Sequence, residues 1–401
     1  MSVLTATETD KESGSRSRIA IMAVTAKGAA LGQQVAAQLR QSGDAVVCYE
    51  KSGRESGDEA IVYTSLKPMM EEIFNGYDRL LFIMATGIVV RMIAPYVVHK
   101  SSDPAVVVMD EGAHHAISLL SGHLGGANEW TAEIAQIAGA DPVITTATDV
   151  NGLPAPDVLA RKLGLAVDDF TDLRHVNAAI VAGEPVCYYL DTSLSEFETY
   201  REQAMAYGIK VVPFDGAACQ GQGNALPRSN GDKANQIQRT DSVKSTGDNE
   251  CEIVVRIIIT DRMMTVAGTR LFLRPKTMTV GIGCRRDTPA EMIEAAVLDS
   301  LVNLGRSPKS VYGAASVIVK ADEKGLLAAM KRLGWPIRYY TQEEMKPLIA
   351  AADIEESNFV KQTIGVGNVC ETTAMLLAKS RELWQKKTVY PRTTVAIARV
   401  W

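Results

Sequence analysis

The chain has 401 residues, 46% hydrophobic and 22% charged, with a formal net charge of -5. That length exceeds what one hydrophobic core usually fills, so two or three domains are expected, and the negative balance argues against a general nucleic-acid binder, which needs a basic patch. No apolar run reaches the ~18–20 residues of a membrane span, and the six cysteines lie far apart without a CxxC pair, reading as reduced thiols of a cytoplasmic protein.

Residues 1–17 are polar and read as a disordered tail. IAIMAVT (19–25) predicts a buried strand, GAALGQQVAAQLR (28–40) a helix, AVVCYE (45–50) a second strand and LLFIMA (80–85) a third. This alternation predicts a parallel sheet with crossover helices. TGIVVRMIAPYV (86–97) then reads as a helix ending near Pro95, AVVVMDE (105–111) as a strand with Asp110 and Glu111 at its tip, and PVITTATD (142–149) as a further segment after a helix that closes near Gly139. Ligands of open α/β sheets sit outside the carboxyl ends of the strands, so Thr86-Gly87, Asp110-Glu111 and Thr145 to Asp149 are expected to converge on one cleft.

A middle segment follows, with a helix over 172–183 and strands over 185–191, 210–214, 252–262 and 269–275. Its stretch 219–250 is almost free of large apolar residues and reads as a flexible insertion. From Thr277 the alternation resumes: strand, glycine turn and a long helix with Thr288 and Pro289 as N-cap and N1 residues, then ASVIVKA, GLLAAMKRLG, IRYYTQEEM, a glycine turn before CETTAMLLAKS, and TTVAIARV. The fold class expected is α/β in three parts: an α/β domain over 18–165, a small mixed middle domain over 166–276 and a C-terminal α/β domain over 277–401.

Three turns carry candidate chemistry. SGHLGGANE (121–129) would present backbone N–H groups at a helix start, where unpaired donors and the helix dipole favour an anion. Ser121, Gly122, Gly125, Gly126 and Asn128 are its binding candidates, and His123, next to Asn128 and Glu129, a hydrogen-bond donor or proton carrier. The plainer alternative is that the glycines only permit a tight turn. VGIGCRR (280–286) offers Gly281 and Gly283 for backbone approach and Arg285 and Arg286 for carboxylates, or else a surface arginine pair beside a packed turn. It lacks the last glycine of a dinucleotide fingerprint, and the chain has no GxxxxGK[ST] loop. IGVGNVCE (364–371) adds Gly365, Gly367 and Glu371, the last either a ligand contact or a first-turn carboxylate. No protein-bound metal is expected: His114 and His115 point to opposite faces of an extended segment, and no tight ligand cluster is visible.

TGIVVRMIAP (86–95), SDPAVVVMDE (102–111), ISLLSGHLGGANE (117–129) and PVITTATDVNG (142–152) together resemble the N-terminal region of the cobalt-precorrin-5A hydrolases of oxygen-independent cobalamin biosynthesis. TVGIGCRRDTPAEMIEAA (279–296), KADEKGLLAAMKRLGWPIRYYT (320–341) and FVKQTIGVGNVCE (359–371) resemble their C-terminal domain. The resemblance implies hydrolysis of a δ-lactone on a cobalt-containing, ring-contracted tetrapyrrole with release of acetaldehyde. Cobalt would enter with the substrate, so no cofactor is implied. His123 or Glu129 would move protons, with backbone N–H groups near Gly125 and Gly126 stabilising charge. Arg91, Arg285 and Arg286 would bind peripheral carboxylates, with Thr86, Gly87, Glu111, Thr148, Asp149, Gly281, Gly283, Gly365, Gly367 and Glu371 completing the substrate contacts. Partners implied are the tetrapyrrole and neighbouring enzymes of the pathway, with neither nucleic acid nor membrane. A non-catalytic tetrapyrrole carrier is the rival reading; it would use the same arginines and glycine turns without needing His123. Two features depart from the family pattern: the 219–250 insertion, and an ELWQKKTVYPR segment without the compact proline-lysine turn expected before the last strand.

Overall fold

The computed structural model describes residues 17–56, 59–216, 255–351, 354–358, 361–362 and 365–400. The expected insertion and all but the last residue of the expected N-terminal tail lie outside the described residues. The chain divides into two compact units, residues 1–158 and 159–401.

The first unit is built on seven strands: β1 (Arg18–Ala23), β2 (Ala45–Lys51), β3 (Ile61–Tyr63), β4 (Arg79–Ile83), β5 (Ala105–Met109), β6 (His115–Leu120) and β7 (Asp141–Val143). They lie in the order β3-β2-β1-β4-β5-β6-β7. β1 is buried on both faces. Ile19, Ile21 and Ala23 pack with Val35, Leu39, Trp130 and Ile134 on one side, while Ala20 and Met22 pack with Met70, Phe74, Val89 and Ile93 on the other. Continuous apolar runs such as IAIMA and AVVVM are what a strand covered by helices on both faces requires.

The order 3-2-1-4-5 is doubly wound, with its reversal between β1 and β4. β1 to β5 run parallel, but β6 is antiparallel to β5, and β7 follows β6. The carboxyl ends of β6 and β7 therefore lie at the opposite edge of the sheet from those of β1, β4 and β5. This overturns the expected convergence: Thr86, Gly87 and Glu111 stand at one edge, and the Ser121–Gly126 turn and Asp149 at the other.

Among the described residues, the second unit holds two five-stranded sheets. β8 (Ala166–Val167), β9 (Val186–Asp191), β10 (Val211–Phe214), β11 (Val255–Ile259) and β12 (Thr269–Arg274) pair in the order β10-β9-β11-β12-β8. β13 (Met278–Cys284), β14 (Val311–Val317), β15 (Ile337–Tyr340), β16 (Leu383–Tyr390) and β17 (Thr393–Arg399) pair in the order β15-β14-β13-β17-β16. The helix Ala290–Asn303 begins one residue later than expected, with Pro289 as its N-cap, because the Thr288 hydroxyl donates to Arg285 O at 2.8 Å and stays in the turn. The ELWQKKTVYPR segment forms β16 and the turn of a hairpin, with Arg392 at φ 61. Between the two sheets, Asp261, buried at 1% exposure, accepts from Thr277 Oγ1 at 2.7 Å and pairs with Arg306.

Candidate active site around His123

The ISLLSGHLGGANEW motif begins as β6 and ends in the helix Ala127–Ala138. Each small residue between them has a steric reason. Ser121 adopts φ 58 and Gly126 φ 80, the left-handed region that reverses the chain over a few residues. A Cβ at Gly122 would lie 2.6 Å from Asn128 Oδ1, and one at Gly125 would lie 2.5 Å from the Ser121 side chain. The turn is therefore close-packed, and three of its backbone donors are used within it. Gly126, Ala127 and Asn128 N–H donate to the carbonyls of His123, Ser121 and Gly122 at 3.0–3.1 Å. At Gly126 the N–H expected to meet an anion is instead bonded to His123 O.

The histidine has a different setting. Its side chain is 9% exposed and lies between two carboxylates. Nδ1 lies 3.1 Å from Asp157 Oδ1 and Nε2 lies 2.7 Å from Asp149 Oδ2, with Thr148 Oγ1 also 3.1 Å from Nε2. Asp157 is 4% exposed on its side chain and Asp149 36%. Burial pushes the His123 pKa down, but the two aspartates outweigh it and hold the pKa above its ordinary value of 6.5. With an acceptor at each nitrogen, both nitrogens donate, and the ring is best described as an imidazolium clamped by two carboxylates.

Asn128, 4% exposed, is fully used inside the protein. Ser118 Oγ donates to its Oδ1 at 2.6 Å, and its Nδ2 donates to Thr146 Oγ1 and Asp149 Oδ2, both at 2.9 Å. It supports the aspartate, and both of its Nδ2 hydrogens are spent within the protein. Glu129 is exposed in the first turn of the helix, and the carboxylates of Asp149 and Asp157 meet the His123 nitrogens. Asp157 escaped sequence reasoning because it lies 34 residues from His123. Its only sequence signal is Pro156, which opens the helix Pro156–Lys162 and so fixes Asp157 in the first turn.

At the other edge of this sheet, the Thr25 hydroxyl caps the helix Ala26–Gln41 by accepting from Gly28 N–H and donates to Glu111 Oε2 at 2.5 Å. Thr86 and Gly87 start the helix Thr86–Ile93, in which Arg91 Nη1 donates to Gly87 O at 2.9 Å. These groups border the β1/β4 reversal, remote in the topology from His123.

In the second unit, Gly281 and Gly283 are packing positions. A Cβ at Gly281 would lie 1.8 Å from Cys370 O and one at Gly283 2.5 Å from Thr394 Oγ1, so the helix Cys370–Ala378 occupies the approach foreseen for a ligand. Burial pushes the Cys284 thiol up to about 11, which leaves it protonated. Arg286 pairs with Asp322 and Glu323, each at 3.0 Å. Arg285 is exposed, and its guanidinium has no partner among the described residues. Glu371 is 7% exposed; it accepts from Lys387 N–H at 2.7 Å and Asn368 Nδ2 at 2.8 Å, which makes it a tie between helix and β16, not a ligand contact. Gly367 N–H is likewise taken, by Glu356 Oε2 at 2.9 Å. Gly365 adopts φ 84 in the same turn.

Three family models match the chain in order: cobalamin synthesis G N-terminal over residues 68–149, cobalamin biosynthesis central region over 154–275, and cobalamin synthesis G C-terminus over 278–398. A protein of Salmonella typhimurium named cobalt-precorrin-5A hydrolase is 32% identical over 91% of this chain and 93% of its own length. The chain belongs to the cobalamin synthesis G family. A second family relative, from Priestia megaterium and of the same name, is 30% identical over 95% of each chain. Among solved structures, cobalamin biosynthesis protein chiG from Agrobacterium tumefaciens is 29% identical over 31% of this chain and 98% of that one, with a TM-score of 0.26. Among the described residues of this family member, no group of three His, Cys, Asp or Glu side chains is arranged to hold a metal ion, and no helix is long and apolar enough to cross a membrane.

Proposed function

We propose that this chain is a cobalt-precorrin-5A hydrolase: it adds water across the δ-lactone of a cobalt-containing, ring-contracted tetrapyrrole and releases acetaldehyde, giving cobalt-precorrin-5B. The observation that carries the reading is His123, nine-tenths buried and held between Asp149 and Asp157. An ester-type carbonyl attacked by water needs a proton acceptor for the water and positive charge near the developing oxyanion. A partly open aspartate beside an imidazolium supplies both. The names of the two full-length relatives support the same reaction.

In this proposal cobalt arrives within the substrate, no resident cofactor is required, and the reaction takes place in the cytoplasm alongside the neighbouring enzymes of the pathway. The test is anaerobic incubation of the purified protein with the lactone substrate, following acetaldehyde and the mass of the corrinoid. Stoichiometric acetaldehyde from the wild type, lost in His123→Ala, is the expected result. Binding of the substrate without turnover would select the carrier reading instead.

A further inference from the structure

The two oxygens of Asp149 are not equivalent. Oδ2 is saturated, accepting from His123 Nε2 at 2.7 Å and Asn128 Nδ2 at 2.9 Å. Oδ1 has no hydrogen-bond partner among the described residues, and 36% of the side chain is open to solvent. A second layer fixes this orientation. Asn128 is held by Ser118 Oγ at 2.6 Å, and the far side of the histidine is held by Asp157, which is itself 4% exposed. Three largely buried groups thus fix the carboxylate through Oδ2 and leave Oδ1 as its oxygen without a bond among the described residues. His123 has no nitrogen left to receive a proton, since both face oxygens.

We propose that Asp149 is the general base of the reaction, acting through Oδ1, and that His123, Asn128 and Asp157 are positioning residues acting through it. The inference rests on the lactone-opening reading and assigns its proton acceptor, a role that sequence reasoning gave to His123 or Glu129. In the step, a water proton passes to Asp149 Oδ1 as the water oxygen bonds to the lactone carbonyl carbon. When the ring carbon–oxygen bond breaks, the departing alkoxide oxygen takes that proton back. The net change of this ring-opening step is the addition of one water, with the aspartate regenerated. His123 keeps its protons throughout, its positive charge facing the carbonyl oxygen's developing charge.

The experiment compares wild type, Asp149→Ala, Asp149→Asn, Asn128→Ala and Glu129→Gln in the anaerobic lactone assay, with sodium formate as a small replacement base. General-base catalysis contributes roughly 10²–10⁴-fold. The expected result is a fall in kcat of that order for both Asp149 variants with KM little changed, and partial return of turnover to Asp149→Ala, not Asp149→Asn, on adding formate. Asn128→Ala should lower kcat with no response to formate, and Glu129→Gln should retain it. The formate arm distinguishes a missing base from a misfolded site, because a damaged fold is not repaired by a small carboxylate. Asp149→Ala keeping at least half the wild-type kcat, or losing it with no formate response while Glu129→Gln also fails, overturns the assignment and leaves the hydrolase reading standing. A wild type that never opens the lactone removes both.

Discussion

Replacing Asp157 by Asn tests whether a buried carboxylate is what keeps His123 charged. The amide oxygen can still accept from Nδ1, 3.1 Å away, so the geometry survives while the charge is lost. Asp157 supplies the larger share of the upward pull on the His123 pKa, Asp149 the smaller, and burial opposes both. Removing the Asp157 charge should therefore move the histidine's titration to lower pH. Both partners of the native bond are charged and only the histidine is in the variant, so a part of the about 1.5–3 kcal/mol of a charged hydrogen bond should be lost wherever His123 is protonated. Because the folded pKa is raised, this stabilisation is fully present below the ordinary value of 6.5 and is lost as pH rises through the folded value. Urea unfolding near pH 6 and near pH 9 should show a larger deficit for Asp157→Asn at the lower pH. NMR titration of the His123 ring protons should show the lowered pKa directly. Equal deficits at both pH values, together with an unmoved histidine titration, would refute the electrostatic reasoning.

Two further outcomes follow from the second unit. Gly281→Ala would set a Cβ 1.8 Å from Cys370 O, and the overpacking should cost about 1–3 kcal/mol or more, visible in denaturant unfolding monitored by circular dichroism. Arg285 and Glu371 should differ in their effect on stability: Arg285→Ala, at an exposed position, should leave it within about 0.5 kcal/mol. Glu371→Gln should instead cost about 1–3 kcal/mol and leave KM unchanged, because its carboxylate is spent on Lys387 N–H and Asn368. A rise in KM for Glu371→Gln with unaltered stability would reinstate it as a ligand contact.

The sequence by itself determined the α/β class, because the apolar runs IAIMA and AVVVM, separated by helical periods, admit little else than strands covered on both faces. It also singled out the SGHLGGAN turn, since glycine and serine in that density signal a reversal that other residues cannot make. The strand direction was not legible. Whether β6 runs with or against β5 depends on pairing between distant segments, and its antiparallel choice moved Asp149 to the opposite edge from Thr86 and Glu111. Nor could sequence say which of the glycines lie under packed helices, as Gly281 does beneath Cys370. The partners of His123 belonged to tertiary structure alone. Asp149 and Asp157 lie 26 and 34 residues away along the chain, and only folding brings their charges to its two nitrogens.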